Sequence, residues 1–184
     1  ILDNGGSYAE FSNGTFTVAS DATLELAGTN AGFNRLQGTF TGNGAGEVVL
    51  SGNRMETGSE TPCVFDFPSG GFRWSGGVIE GYGGASFVNQ GRMYVSGSDL
   101  KQFYRGTMAN AGTLQQSGSG PLNITFGSRL TNTVGALYEI QSDGTNITCD
   151  NGAGAWAMFI NQGRLVKSGG TGVSLLQVPF YNEG

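Results

Sequence analysis

One block of sequence returns along this chain. FVNQGRMYVSG at 87–97 recurs as MANAGTLQQSG at 108–118 and FINQGRLVKSG at 159–169, and its opening returns as FYNEG at 180–184. The asparagines that anchor the copies are Asn89, Asn110, Asn161 and Asn182, with a degenerate copy, LTNTVGALYEI, on Asn132. Successive anchors are 21, 22, 29 and 21 residues apart, so one unit of about 21 residues is reused and one copy carries an insert of eight. A fixed period in this range marks a solenoid, in which no unit buries its apolar face alone and stacking builds the core.

Each unit predicts strands. Aligned on Gly46, Gly70, Gly91, Gly112, Gly135, Gly163 and Gly184, the copies place Val48, Phe72, Met93, Leu114, Leu137 and Leu165 two residues after the glycine. Two residues before the asparagine stand Phe87, Met108, Leu130, Phe159 and Phe180. Apolar residues at alternate positions mean a strand with one buried face, and matching columns mean equivalent residues stacked on one another. Leu122, Ile124 and Phe126 predict a further strand, with Val173 and Leu175 as its counterpart. Asn and Gly at the corner tolerate left-handed backbone. The amides of Asn89, Asn110, Asn132, Asn161 and Asn182 are expected to stack as a hydrogen-bonded ladder.

These patterns point to an all-β fold, a single-stranded parallel β-helix (β-solenoid), right-handed as parallel crossovers are. One domain over 1–184 is expected, with irregular coils over 1–45 and regular coils over 46–184, interrupted by the insert near 141–155. Within the first stretch, TFTVAS (15–20) and TLELAG (23–28) read as clean alternating strands. A leucine-rich repeat of similar period would need its own leucine-and-asparagine consensus and a helical segment, and neither is present. One column changes character: four residues after the glycine come Leu50, Trp74 and Val95, then Gln116, Glu139 and Lys167. Either the strand ends earlier there or that wall opens to water.

Composition narrows the function classes. Only 12% of residues are charged and 34 are glycine, so Ser, Thr, Asn, Gln and Gly must cover the surface, and long helices have no material. A net charge of −5 argues against nucleic acid as a partner, because phosphate binding relies on clustered Lys and Arg. No apolar run approaches the ~20 residues of a membrane span, so no membrane insertion of this segment is expected. The first residue is Ile1 rather than Met, which predicts a processed or excised segment. The sequence stops at Gly184 on the anchor itself, and a solenoid end exposes unpaired strand edges. Continuation into further repeats and end-to-end self-association are the two explanations, the first being favoured because edges are normally managed.

Chemistry is sparse. There is no histidine, which removes histidine-based nucleophilic catalysis and the usual zinc ligands. No catalytic, cofactor-binding or metal site is assigned. TGNGAG (41–46) has the glycines of a phosphate loop but not its Lys-Ser/Thr, and a solenoid corner explains it better. Asp66 with Glu80, and Asp143 with Asp150 in the loop 143–152, are the carboxylate pairs to weigh against solvated surface acids. Asp66 alternates with Phe65 and Phe67 and so points outward. Arg92 and Arg164, with Tyr94, could line a glycan-binding wall, against a bland exposed one. Cys63 and Cys149 lie about four coils apart, on the order of 15–20 Å, too far for a bridge, so two unpaired thiols are expected. Asn13, Asn123 and Asn146 head glycosylation triplets.

The run from TFTVAS through TLELAG to GAGEVVLSG, then FVNQGRMYVSG and its echoes, resembles the Gly- and Asn-rich β-helix repeats of bacterial secreted and cell-surface proteins. Such repeats include the stalks of autotransporter-type and filamentous-haemagglutinin-like adhesins. The resemblance implies an extracellular or cell-surface place and a structural or adhesive role as scaffold, stalk or filament component; with no histidine and no catalytic motif matched, no enzymatic activity and no cofactor are expected. A glycan or other cell-surface ligand is a possible partner on this reading. The alternative is a carbohydrate-binding or polysaccharide-degrading β-helix protein, which an acidic cleft at one rung level with an Arg or Lys beside it would favour.

Overall fold

A computed structural model describes residues 8–26, 32–68, 70–150 and 156–184. Residues 1–7 of the irregular start, 27–28 of TLELAG and 151–155 of the insert lie outside them. The described residues form 21 parallel strands, β1 to β21 in chain order, and one 3₁₀ turn at Tyr82–Gly84. The first face stacks β2 (Thr23–Glu25), β4 (Glu47–Leu50), β7 (Phe72–Trp74), β10 (Arg92–Val95), β13 (Thr113–Gln116), β16 (Leu137–Ile140) and β19 (Arg164–Lys167). The second stacks β5 (Arg54–Thr57), β8 (Gly77–Gly81), β11 (Lys101–Tyr104), β14 (Leu122–Thr125), β17 (Gly144–Asp150) and β20 (Ser174–Gln177). The third stacks β6 (Cys63–Asp66), β9 (Ser86–Asn89), β12 (Thr107–Asn110), β15 (Arg129–Asn132), β18 (Met158–Asn161) and β21 (Phe180–Asn182).

β3 (Phe33–Asn43) belongs to two faces: residues 33–36 pair with β5 and 38–41 with β6, and the strand turns at Gly38, φ +79°. β1 (Tyr8–Thr17) lies on β3. The chain thus winds first face, second face, third face. It is a β-solenoid of about seven turns whose equivalent residues stand about 24 apart. That exceeds the 21 of the anchor spacing because the turns differ: Leu24, Val48 and Phe72 follow at 24, whereas Phe72, Met93 and Leu114 follow at 21. Regular stacking is present from Thr23, with Ala22 where later turns carry an anchor glycine.

The first-face column runs Val48, Phe72, Met93 and Leu114, all buried, and ends on Leu165, half-buried against the core. Leu137 does not belong to it. Register pairs Leu114 with Tyr138 and Thr113 with Leu137, so Tyr138 is fully buried and Leu137 faces outward. Alignment on Gly135 slips by one residue, because Ala136 stands where Gly112 and Gly163 stand, and a one-residue slip turns every side chain over. The same shift replaces Glu139 by Ile140 in the neighbouring column. Gln116 in that column is not opened to water: it is buried, its amide donates to Asn146 O at 2.6 Å and its Oε1 accepts from the Tyr138 hydroxyl at 2.6 Å.

On the third face Phe87, Met108, Leu130 and Phe159 form a buried column, and Phe180 follows in register but is 39% exposed. On the second face Leu122 and Ile124 are buried, whereas Phe126 turns outward. Val173 and Leu175 are exposed, and Leu176 and Val178 pack on the core instead, because Ile147 pairs with Leu176 after a bulge. The expected loop 143–152 is largely strand β17, stacked on β14.

The anchor glycines divide: Gly70 (φ +87°) and Gly135 (φ +82°) adopt left-handed backbone in open space, whereas Gly46, Gly91, Gly112 and Gly163 serve close approach. A Cβ at Gly91 would sit 2.0 Å from Phe67 O, and one at Gly112 2.1 Å from Gly91 O, while neither has positive φ. Cys63 is fully buried and Cys149 half-buried, on different faces, and both are free. Burial pushes the Cys63 thiol pKa up, and only the thiolate reacts. In the native protein a thiol reagent is therefore expected to modify Cys149 quickly and Cys63 slowly, with two thiols counted after denaturation without reductant. Equal native rates, or fewer than two in a denatured monomer, would contradict this placement.

Candidate functional site

Two arrangements stand out from the stack, one inside and one on the second face. Inside, at the corner between the third and first faces, the Asn89, Asn110, Asn132, Asn161 and Asn182 side chains form a chain of amides. Each Nδ2 donates to the Oδ1 of the next asparagine, at 2.7 Å in all four steps. The second amide hydrogen ties the ladder to a main-chain carbonyl: Asn89 to Thr113 O (3.0 Å), Asn110 to Leu137 O (2.9 Å), Asn132 to Arg164 O (3.2 Å) and Asn161 to Gly163 O (3.1 Å). Asn89, Asn110, Asn132 and Asn161 are buried, which such side chains tolerate only when so satisfied. In the earlier turns the same column holds Phe40 and Phe65, so aromatic packing gives way to amides at Asn89.

On the second face the outward columns gather charge. Register stacks Arg35, Glu56, Glu80 and Tyr104 in one column and Phe33, Arg54, Val78 and Gln102 in the next. Glu56 accepts from Arg35 (3.0 Å) and Arg54 (2.8 Å), and Glu80 accepts from Arg54 (3.0 Å) with Arg105 at 3.7 Å. Both carboxylates are nearly inaccessible, at 2% and 4% exposure, though they point away from the core. They are covered by the guanidiniums, and Arg35 lies 4.3 Å over the Tyr82 ring and Arg54 4.6 Å over Phe33. Partial burial works against the charge of Arg35, but its hydrogen bond and charge pairing with Glu56 hold its pKa above the ordinary value. An open pocket of about 260 Å³ adjoins, lined by Arg54, Val78, Glu80, Gln102 and Tyr104.

The carboxylate pairs proposed from sequence do not form. Asp66 is exposed on the third face while Glu80 is on the second, and Glu80 is paired with Glu56 instead. Asp143 is held to Lys167 (2.7 Å) and to the amides of Thr171 and Gly172; the Lys167 hydrogen bond, then these amides, lower its pKa. Asp150 ends β17, beside Thr125. Arg92 and Arg164 share an outward column of the first face, but Thr113 and Leu137 separate them, and Tyr94 lies beside Arg73 instead. Of the glycosylation triplets, Asn146 is buried and tied to Ser142 and Gly144, and Asn13 accepts from the Thr39 amide. Lys101, a residue the sequence reading passed over, is fully buried; its Nζ donates to Ser96 O (2.9 Å) and Gly120 O (2.8 Å), and desolvation lowers its pKa.

The Glu56–Glu80 pair carried one signal in the sequence. The two lie 24 residues apart, one full turn, in R-M-E and V-I-E triplets of equal phase. Comparison with family models, with curated proteins and with solved structures gave no match.

Proposed function

We propose that this chain is a structural and adhesive β-solenoid of an extracellular or cell-surface protein, acting as a rigid spacer in the manner of adhesin stalks rather than as an enzyme. The amide ladder supports this reading most directly. Together with the main-chain ladders of three faces, it ties every turn to the next along one axis, so an axial pull is shared by many parallel hydrogen bonds. A stack of seven strands at ~4.8 Å gives a rod about 30 Å tall, which lengthens by adding coils, within one chain or by stacking of chains.

Two measurements test it. Pulled from both ends, the domain is expected to resist as a unit and then peel in steps of one coil, about 80 Å of extended chain for 24 residues. A featureless low-force extension speaks against a stalk. In cells making the full-length protein, an epitope in the exposed turn at Gly83–Gly84 should be reached by antibody before lysis. Reach only after lysis removes the surface role.

A further inference from the structure

We propose that the strip of the second face around Tyr104, Arg105 and Phe126 is a binding site for a carboxylated saccharide, a use that goes beyond the spacer role. The first observation is conformational. Among the described residues, five non-glycine residues have positive φ, and three of them, Asn13, Asp21 and Asn53, are of the types that tolerate it. The other two are Arg105 and Phe126, both at φ +52°. Bulky side chains are disfavoured there, and strain of this kind collects where a side chain must be aimed. Arg105 and Phe126 directly follow consecutive strands of the second face, β11 and β14, and each precedes a glycine, so the same corner is strained in two successive turns.

What the strain achieves is display. Phe126 is 44% exposed and the Arg105 side chain 57%. Tyr104 and Phe126 meet edge to face at 4.6 Å, and the Arg105 guanidinium lies 4.7 Å from the Tyr104 ring centre. The open pocket described above adjoins this group, with Glu80 and Gln102 on its wall.

The chemistry of these groups selects the ligand. The exposed Phe126 ring, backed by the half-buried Tyr104, offers an apolar surface to the C–H face of a pyranose ring. Arg105 holds Glu80 only at 3.7 Å and keeps donors for a planar carboxylate, which a guanidinium binds in bidentate fashion. A ring hydroxyl can accept from the Gln102 amide, which donates its other hydrogen to Thr125 Oγ1 at 3.3 Å. Arg35 and Arg54 are taken up by Glu10, Glu56 and Glu80, so Arg105, with its side chain 57% exposed, is the guanidinium of this strip turned toward a ligand carboxylate.

The test uses titration calorimetry with oligogalacturonate, oligomannuronate and hyaluronan oligosaccharides, each beside its carboxyl-reduced counterpart. At least one uronate probe should bind, and carboxyl reduction should weaken it tenfold or more. Arg105→Gly and Phe126→Gly should each weaken it by about tenfold or more, yet raise the melting temperature by about 2–4 °C each, because glycine relieves the strain. Arg164→Gly, on the first face, should bind as the parent does. The proposal fails if no uronate binds at millimolar concentration, if the reduced probes bind equally, if either glycine variant keeps full affinity, or if both melt lower than the parent.

Discussion

Phe65→Ala is expected to destabilise the fold by about 3–5 kcal/mol. Phe65 is the hub of the aromatic core: its ring meets Phe40 (6.0 Å), Phe67 (5.1 Å), Phe72 (4.7 Å) and Phe87 (5.1 Å), and it is 1% exposed. Those contacts come from the turns on either side as well as from its own. Truncation therefore leaves a cavity bounded by stacked main chain, which cannot collapse without breaking strand register. Just beyond, the same column changes to Asn89 and no ring is available to refill the space. Urea unfolding should show the midpoint falling with little change in slope. A loss below about 1 kcal/mol would mean the site is less tightly packed than the ring distances require. Leu137→Ala serves as the contrasting substitution: it faces outward and should stay within about 0.5 kcal/mol of the parent, whereas the register expected from Gly135 would make it costly.

That contrast marks where the sequence was readable. The asparagine anchors and alternating strands could be read because stacked turns repeat their chemistry, and a buried amide ladder admits few substitutes for Asn. Glycine was a poorer guide. Its role at Gly91 and Gly112 is to let one turn lie against the next, a demand that Ala136 also meets, so aligning on Gly135 moved Leu137 and Glu139 into columns that belong to Tyr138 and Ile140. A polar residue in a core column was also ambiguous. Gln116 is interior because Tyr138, one turn on, offers it a hydroxyl, a partner 22 residues away that periodicity alone does not reveal. The second-face cluster was hidden for the same reason. Glu56, Glu80 and Arg54 become neighbours only at a spacing of 24, not at the 21 that the asparagine blocks suggest.

Asn110→Asp should be the most informative substitution in the ladder. Asn110 accepts from Asn89 (2.7 Å) and donates to Asn132 Oδ1 (2.7 Å) and Leu137 O (2.9 Å), so it needs an acceptor and two donors at one buried position. Aspartate keeps the shape and the acceptor but faces two oxygens with none of the donors. At pH 7 the variant buries an uncompensated charge, with an expected loss of about 3–5 kcal/mol, against about 1–3 kcal/mol for Asn110→Ala. The two substitutions then separate with pH. Burial and facing oxygens raise the carboxyl pKa in the folded state above its unfolded value of about 3.9. The unfolded chain then releases its proton first, and stability is present at low pH and lost as pH rises through the folded pKa, at about 1.4 kcal/mol per unit between the two values. The protonated acid regains one donor for Asn132, so Asn110→Asp should approach wild-type stability near pH 4 while Asn110→Ala shows no such recovery. Denaturant midpoints measured from pH 4 to 8 decide it. An aspartate variant as stable as the parent at pH 7, or one whose deficit does not shrink on acidification, would mean that the amide at this corner is not held inside the ladder.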